Sequence, residues 1–270
     1  MTRPSSIARP VAVVAATLIF VMPLVLMVLG SLRAPGLPPP DGLELVPSPV
    51  RPENFRTVFA FLPLAAYVVN SLLVVVVAVP ITVLFASWAG FAVVTSSPAA
   101  RRAIIVVSVV ALMVPLSALW VPRFTLYRVL GVTDTLVPLM APALMATTPF
   151  YVLLFAVAYA RIPRSLFEAA ALENLSPLQT WRKVAFPLGA PAAFAVALLA
   201  FIFHWSNFID ALLYLPRTET GTLPLALREL QTLEPTNHPI LLAASVIATI
   251  PAVAAFFGAQ RAFFTRTLGV

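Results

Sequence analysis

The sequence predicts an all-α integral membrane protein, for reasons of composition and of charge distribution. Only 10% of its 270 residues are charged and 61% are apolar, whereas about a quarter of the residues of a soluble domain are charged. Long apolar runs recur along the chain, and a helix needs about 20 such residues to cross a bilayer. The 27 prolines are compatible with membrane helices whose freed carbonyls are satisfied by neighbouring helices or water.

Six apolar runs predict six spanning helices. At 1.5 Å per residue, each run is long enough to cross about 30 Å of hydrocarbon. The first run is longer than the core of a cleaved signal peptide, so we expect a retained span. The proline-rich segment 33–66 should be an ordered, extended loop, and 1–270 a single domain. The predicted spans are 11–32, 67–94, 103–122, 136–160, 190–213 and 239–264.

The basic residues predict the orientation of these spans. With six spans both termini lie on one side, which would hold ten cations and two acids, Glu168 and Glu173, against seven cations and eight acids opposite. The side richer in arginine and lysine is expected to be cytoplasmic. Because these cations flank apolar runs, they indicate orientation rather than nucleic-acid binding. The ten are Arg3, Arg9, Arg101, Arg102, Arg161, Arg164, Arg182, Lys183, Arg261 and Arg266.

Residues 161–188 form a polar segment between two apolar runs, with the signals of two short helices joined by a tight turn. Pro163 suits a first helical turn, and Asn174 tolerates the left-handed conformation that ends helices. Ser176 and Gln179 have the spacing of a capping box at the start of the second helix. We expect that helix to continue through "TWRKVAF" and the chain to break at the prolines that follow, Pro187 and Pro191.

The first of these helices also suggests contact with another surface. Ala169, Ala170 and Ala171 leave one side of it nearly flat, and Glu168 offers a charge for a basic partner. The alternative is a surface connector that lies on the membrane interface. A connector, however, needs neither a capping box nor a flat face.

The stretch "EAAALENLSPLQTWRKVAFPL" (168–188) resembles the EAA loop of ATP-binding-cassette (ABC) importer permeases. Its Glu-Ala-Ala opening, its acidic position and its aliphatic-x-x-Pro ending match, and an asparagine stands where the family has glycine. Asparagine also adopts the left-handed turn. The resemblance and the capping pattern assign to this loop Glu168, Ala169, Ala170, Glu173, Asn174, Ser176 and Pro187.

Further stretches resemble the maltose-permease-like branch, which imports carbohydrates and polyol phosphates. They are "YVVNSLLVV" (67–75), "LGVTDTL" (130–136), "TLPLAL" (222–227) and "LLAASVIATIPAV" (241–253). The family's Trp-Asn-Asp-Phe stretch is replaced by Trp205-Ser206-Asn207-Phe208, a departure that would mark a different substrate.

The resemblance implies a type I importer transmembrane domain in a bacterial-type cytoplasmic membrane. It implies a second, different permease subunit, two ATP-binding subunits and an extracytoplasmic solute-binding protein. The chain has no Gly-x-x-x-x-Gly-Lys-[Ser/Thr] motif, so ATP would be bound and hydrolysed by partners, and this chain would be neither an enzyme nor a cofactor-binding protein. Residues 161–188, the coupling loop, would transmit the motion of the ATPase.

We predict that four residues in or beside the spans line a translocation path: Asn70, Trp205, Asn207 and Asp210. Other polar residues in the spans should form hydrogen bonds between helices. An intramembrane acid such as Asp210 suggests function, with a position at the interface as the alternative. His204 and His238 lack the spacing of a metal site. An ion-coupled secondary transporter remains the alternative function, although a single buried acid and no visible repeat disfavour it.

Between the fifth and sixth spans, "LPLALRELQTL" predicts a short amphipathic helix. Its leucines recur at helical spacing, at Leu223, Leu227, Leu230 and Leu233. The charge distribution places this segment outside the cytoplasm. It could seal the outer end of the bundle or receive the solute-binding protein.

Overall fold

The computed structural model describes residues 8–40, 42, 46–216 and 218–268, and every regular element in them is helical. Within these residues, four segments are long and apolar enough to cross a membrane: Pro10–Ser31, Leu64–Thr95, Val137–Ala160 and His238–Gly258. Two bent helix pairs bring the number to six if each pair is one span. The all-helical membrane fold predicted from composition is therefore confirmed. The chain ends, and with them Arg3, lie outside the described residues.

The helices follow one another along the chain with short connections, apart from the long segment 32–53 between α1 and α2. They are α1 Ala8–Ser31, α2 Asn54–Phe61, α3 Leu64–Thr95, α4 Pro98–Leu112, α5 Leu116–Val129, α6 Val137–Met140, α7 Pro149–Ala160, α8 Arg164–Leu172, α9 Pro177–Thr180, α10 Phe186–Leu188, α11 Ala190–Trp205, α12 Ile209–Tyr214, α13 Leu223–Leu233 and α14 His238–Leu268. Two 3₁₀-helices, Ala141–Met145 and Thr218–Thr220, and a π-helix, Trp181–Ala185, complete the described elements.

The chain divides into two compact units, residues 1–65 with 225–251 and residues 66–224 with 252–270. In the first unit, the carboxyl end of α1 is closed by a side chain from α2. The Asn54 amide is buried and donates to the carbonyls of Ser31 and Arg33, each at 2.8 Å. These carbonyls have no partner within the helix. The helix α2 lies within the segment 33–66, which was predicted to be an extended loop.

In the second unit the segment predicted as one span over 103–122 is bent. Helices α4 and α5 meet at 92° around residues 113–115. Pro115 has no N–H to donate and disfavours helical backbone at Val114, so a straight helix cannot pass through it. The segment predicted over 190–213 is also divided, because α11 ends at Trp205 and α12 begins at Ile209.

The fourth predicted span, 136–160, is interrupted near its middle. After the 3₁₀-helix, Ala146 and Thr147 adopt left-handed backbone with φ of 58° and 60°. Thr148 then caps α7, its hydroxyl accepting from the N–H of Phe150 at 3.4 Å, with Pro149 in the first turn. The polar groups freed by the interruption are thus partly satisfied by a side chain at the start of the next helix.

Helices α3 and α7 approach closely at a glycine. A Cβ added to Gly90 would lie 2.5 Å from the Cβ of Phe155 and 3.0 Å from both the nitrogen of Ala156 and the carbonyl oxygen of Val152. Phe155 is fully buried. Small residues of this kind let membrane helices pack backbone to backbone. The close packing of these two helices matters for the site, because the coupling loop follows directly from α7.

Gly90→Ala should force α3 and α7 apart and destabilise the fold by about 1–3 kcal/mol, as overpacking does in other cores. The measurement is the thermal unfolding midpoint of the purified chain in detergent. Gly258→Ala is the matched control, since a Cβ there meets no described atom within 4 Å. Equal midpoints for the two variants would contradict the close packing at Gly90.

Candidate functional site: the coupling loop

The first helix of the coupling loop ends in a well-formed turn. Helix α8 begins directly after Pro163, which precedes the first helical residue instead of occupying it. Asn174 is left-handed with φ of 54°, as predicted. The N–H of Leu175 donates to the carbonyl of Ala170, and the N–H of Asn174 to that of Ala171, both at 3.0 Å. These two bonds make a Schellman motif, which satisfies carbonyls at the helix end and fixes the direction of the chain.

The second helix begins with the predicted capping box. The N–H of Gln179 donates to the Ser176 hydroxyl at 3.3 Å, and the Gln179 side chain accepts from the N–H of Ser176 at 2.9 Å. The helix continues through the π-turn Trp181–Ala185 and through Pro187 to Leu188. The break predicted at the prolines therefore lies elsewhere, because the chain bends by 81° at Gly189.

Gly189 explains where the bend falls. Its Cα lies against the Tyr159 ring so closely that a Cβ would collide with Cε1 of that ring. Pro187 directly follows the π-turn, in the first turn of α10, and Pro191 lies in the first turn of α11, where its missing N–H costs little. Packing against α7, rather than proline, sets the position of the bend.

One side of the loop is left open. Glu168, Ala169, Glu173 and Asn174 are exposed, whereas Ala170 is 4% exposed and faces the bundle. Leu172 is 85% exposed at the end of α8. Leu166 and Leu178 are also exposed, at 41% and 60%.

The loop carries both signs of charge on this open surface. Its cations outnumber its acids by four to two, and all six side chains are exposed. Outside the loop, Arg101 of α4 closes the end of α3 by donating to the carbonyls of Val93, at 3.2 Å, and Val94. The charged residues of the loop are Arg161, Arg164, Glu168, Glu173, Arg182 and Lys183.

The opposite side of the loop is anchored to two spans by a buried hydrogen-bond chain. The indole Nε1–H of Trp181 donates to the Ser87 hydroxyl at 2.8 Å, and that oxygen lies 2.5 Å from the hydroxyl of Tyr159. Ser87 and Tyr159 are fully buried and Trp181 is 8% exposed. Phe167 of α8 contacts Phe91 of α3, with ring centroids 6.3 Å apart. The loop is therefore joined to α3 through both of its helices.

Trp181 and Tyr159 were not singled out by the sequence. Ser87 is one of the polar residues in the spans for which only hydrogen bonds between helices were predicted. The available signal was a tryptophan, which has a polar N–H, within a basic segment. Its partner lies 94 residues away in the chain, and a single sequence gives no means of pairing residues so far apart.

The structure places the four predicted path residues in different surroundings. The Asn70 amide donates to the carbonyls of Glu219, at 3.1 Å, and Gly221, at 2.9 Å, so it holds the chain before α13. Asn207 and Asp210 bond to each other, Nδ2 to Oδ2 at 3.1 Å and Oδ1 to the N–H of Asp210 at 3.3 Å.

Asp210 is 5% exposed, and the Trp205 ring stacks on Phe201 with centroids 5.6 Å apart. The structure thus brings Asn207 and Asp210 together. The hydrogen bonds of Asn70 hold the backbone before α13. A role of these residues in translocation stays a prediction.

A second polar cluster joins three spans. The hydroxyls of Thr82 and Thr147 are 2.6 Å apart, and Thr147 lies 3.3 Å from Nε2 of His204. His204 is 5% exposed and Thr82 is fully buried. These are the hydrogen bonds between helices expected of polar residues in spans. In the part of the chain that the structure describes, no three His, Asp or Glu side chains are placed to hold a metal ion.

The amphipathic helix predicted between the last two spans is present as α13. Leu223, Ala226 and Leu230 are each 1% exposed, while Arg228 is exposed. Leu233, predicted for the apolar face, is 54% exposed, because it is the last residue of the helix. Arg228 is therefore available to another molecule.

Comparison with known proteins agrees with this geometry, although no family model matches the chain. Over 248 residues, 91% of this chain and 88% of the relative, it is 30% identical to the arabinooligosaccharides transport system permease protein AraQ of Halalkalibacterium halodurans. Over 215 residues, 80% of this chain and 78% of the relative, it is 30% identical to the diacetylchitobiose uptake system permease protein DasC of Streptomyces coelicolor.

A solved structure shares the fold. A bacterial ABC transporter involved in the import of the acidic polysaccharide alginate superposes with a TM-score of 0.75 at 20% identity, covering 97% of this chain and 99% of that one. Nothing among these relatives supports the ion-coupled secondary transporter kept as the alternative. The chain therefore belongs to the multi-pass permease subunits of ABC carbohydrate importers.

Proposed function

We propose that this permease imports a sugar or oligosaccharide across a bacterial cytoplasmic membrane, driven by ATP that its partner subunits bind and hydrolyse. The observation that carries the proposal is the coupling loop, which is internally capped, anchored on one side and open on the other. The relatives AraQ and DasC are named for transport of arabinooligosaccharides and uptake of diacetylchitobiose. Their names support an oligosaccharide as the solute class.

The open side of the loop is proposed to dock on one of two ATP-binding subunits. Helix α8 offers a charge at Glu168, a flat surface at Ala169 and an exposed apolar side chain at Leu172. A short rigid helix transmits displacement better than a flexible loop, because its conformation does not absorb the motion. The Schellman motif and the capping box supply that rigidity.

A second, different permease subunit is proposed to complete the pathway, with both termini and the coupling loop of this chain on the cytoplasmic side. A solute-binding protein would deliver solute from the other side, where α13 exposes Arg228. In support, a second fold neighbour was solved as a bacterial alginate ABC transporter in complex with alginate pentasaccharide-bound periplasmic protein. ATP and solute would then bias the same equilibrium between inward-open and outward-open states.

Glu168→Lys should weaken docking of the ATPase while the chain still inserts and folds. Glu168 is exposed in this chain and is proposed to become partly buried against a basic residue of the ATPase. Removing one member of such a pair costs several kcal/mol because the other is left unpaired. The measurement is the amount of ATPase subunit that copurifies with the permease, together with solute uptake in proteoliposomes.

The control for this variant is Glu53→Lys, which makes the same charge change at another exposed glutamate, beside α2. It should leave both readouts near the wild-type level. Wild-type copurification and uptake for Glu168→Lys would rule out the coupling role of this residue.

Asn174 tests whether the shape of the loop matters. Asn174→Gly keeps a residue that accepts positive φ, whereas Asn174→Val places a β-branched side chain in the left-handed region, at a cost of about 1–3 kcal/mol. We expect solute-stimulated ATPase activity of the reconstituted complex to be retained in the glycine variant and to fall severalfold in the valine variant. Equal activity in both variants would show that the turn need not be rigid.

Reversing Arg228 and Glu229 together should slow transport at low concentrations of the binding protein. Charges at the rim of an interface change the association rate and its salt dependence more than the final affinity. The defect should shrink at saturating binding protein, and basal ATPase activity should stay normal. A defect that does not depend on the concentration of binding protein would favour a purely structural lid.

A further inference from the structure

The chain of hydrogen bonds through Ser87 holds three helical elements at one point. Trp181 belongs to the π-turn of the coupling loop, Ser87 to α3 and Tyr159 to α7. An indole N–H can only donate, so the Ser87 oxygen must accept from it. Because all three side chains are at most 8% exposed, water does not compete for these bonds, and each is costly to leave unmade.

Trp181 lies in the π-turn on the side that packs against the bundle. Within this turn, Trp181 and Ala185 are buried while Arg182 and Lys183 are exposed, so one residue pair faces the spans and the other faces outward. The Trp181 ring also contacts Phe186, with centroids 5.2 Å apart, and Trp88, at 5.5 Å. Single π-turns within α-helices occur often at functional sites.

Two kinds of contact therefore join the loop to the spans. The aromatic contacts bury area and tolerate sliding, because the hydrophobic effect has no direction. The Trp181–Ser87–Tyr159 bonds are directional and fix one register between the loop and helices α3 and α7. If only the aromatic contacts remained, the loop could tilt on the bundle without a large loss of burial.

We propose that Trp181 is a positioning residue of the transport cycle, which locks the coupling loop to α3 and α7 through Ser87 so that displacement of the loop moves both spans. The proposal rests on the function proposed above, in which the loop docks on an ATPase. It adds the residue that transfers the motion from the docked loop to the bundle. Neither Trp181 nor Ser87 touches the solute or ATP in this role.

The test is Trp181→Phe in the full transporter reconstituted in proteoliposomes with its ATPase, second permease and binding protein. Phenylalanine keeps an aromatic ring against Trp88 and Phe186 but has no N–H. We expect the number of ATP molecules hydrolysed per solute imported to rise about two- to tenfold, the equilibrium effect of one net hydrogen bond. The amount of copurified ATPase should not change, since the docking surface is intact.

Trp88→Phe is the matched control. It removes another indole N–H from the same aromatic cluster, but Trp88 is 40% exposed and lies outside the hydrogen-bond chain. Its ATP-to-solute ratio should remain at the wild-type value. An equal rise for both variants would show that aromatic packing alone matters, and would overturn the proposal.

Ser87→Ala gives an independent measurement of the same link. It should raise the ratio as Trp181→Phe does, and the double variant should be no worse than either single variant, because both remove the same bond. A merely structural role predicts lower thermal stability with an unchanged ratio, and that result would also overturn the proposal. If Glu168→Lys leaves docking and uptake intact, the docking role proposed for Glu168 fails, whatever the Trp181 variants do. If Glu168→Lys abolishes them and Trp181→Phe changes nothing, only this inference fails.

Discussion

The structure depends on one constraint: backbone N–H and C=O groups within a bilayer need partners inside the protein. In the described residues, side chains supply those partners where helices stop. Asn54 donates to carbonyls at the end of α1, Arg101 donates to carbonyls at the end of α3, and Thr148 caps the start of α7. The interruptions of the predicted spans are tolerated for the same reason. These three helix ends are therefore closed by side chains from nearby in the chain.

The coupling loop follows the same rule outside the hydrocarbon. It is short and lies at the surface, where water could satisfy its backbone, yet it satisfies much of that backbone through its Schellman motif and capping box. Internal bonding of this kind makes the loop stiff. Its open side then carries an exposed Glu168 and Leu172, while its other side is bound through Trp181 to Ser87. Stiffness, an open face and an anchored face are the properties that a transmitting element needs.

Local signals in the sequence predicted the parts of the fold that depend on neighbouring residues. The left-handed turn at Asn174 and the capping box at Ser176 follow from residue types three or four positions apart, and the structure has both. The bends were predicted less well. No bend was predicted at Pro115, which divides the third segment, and the chain passes through Pro187 and bends at Gly189, where the Tyr159 ring leaves no room for a side chain. The buried chain through Ser87 also depends on tertiary packing, which composition and spacing do not encode. The roles assigned to Glu168 and to the path residues need partner subunits to be tested.

The central claim is that the loop and the spans above it move as one body when ATP binds. The chain contains no cysteine, so spin labels can be introduced directly at Ser165→Cys, in α8 but outside the proposed docking residues, and Val157→Cys, in α7, both of which are exposed. Pulsed electron paramagnetic resonance on the assembled transporter would then give the distance between the two labels with and without ATP. The account predicts the same narrow distance distribution in both states. A distribution that shifts or broadens on ATP binding would show that the loop moves independently of α7, and would contradict it.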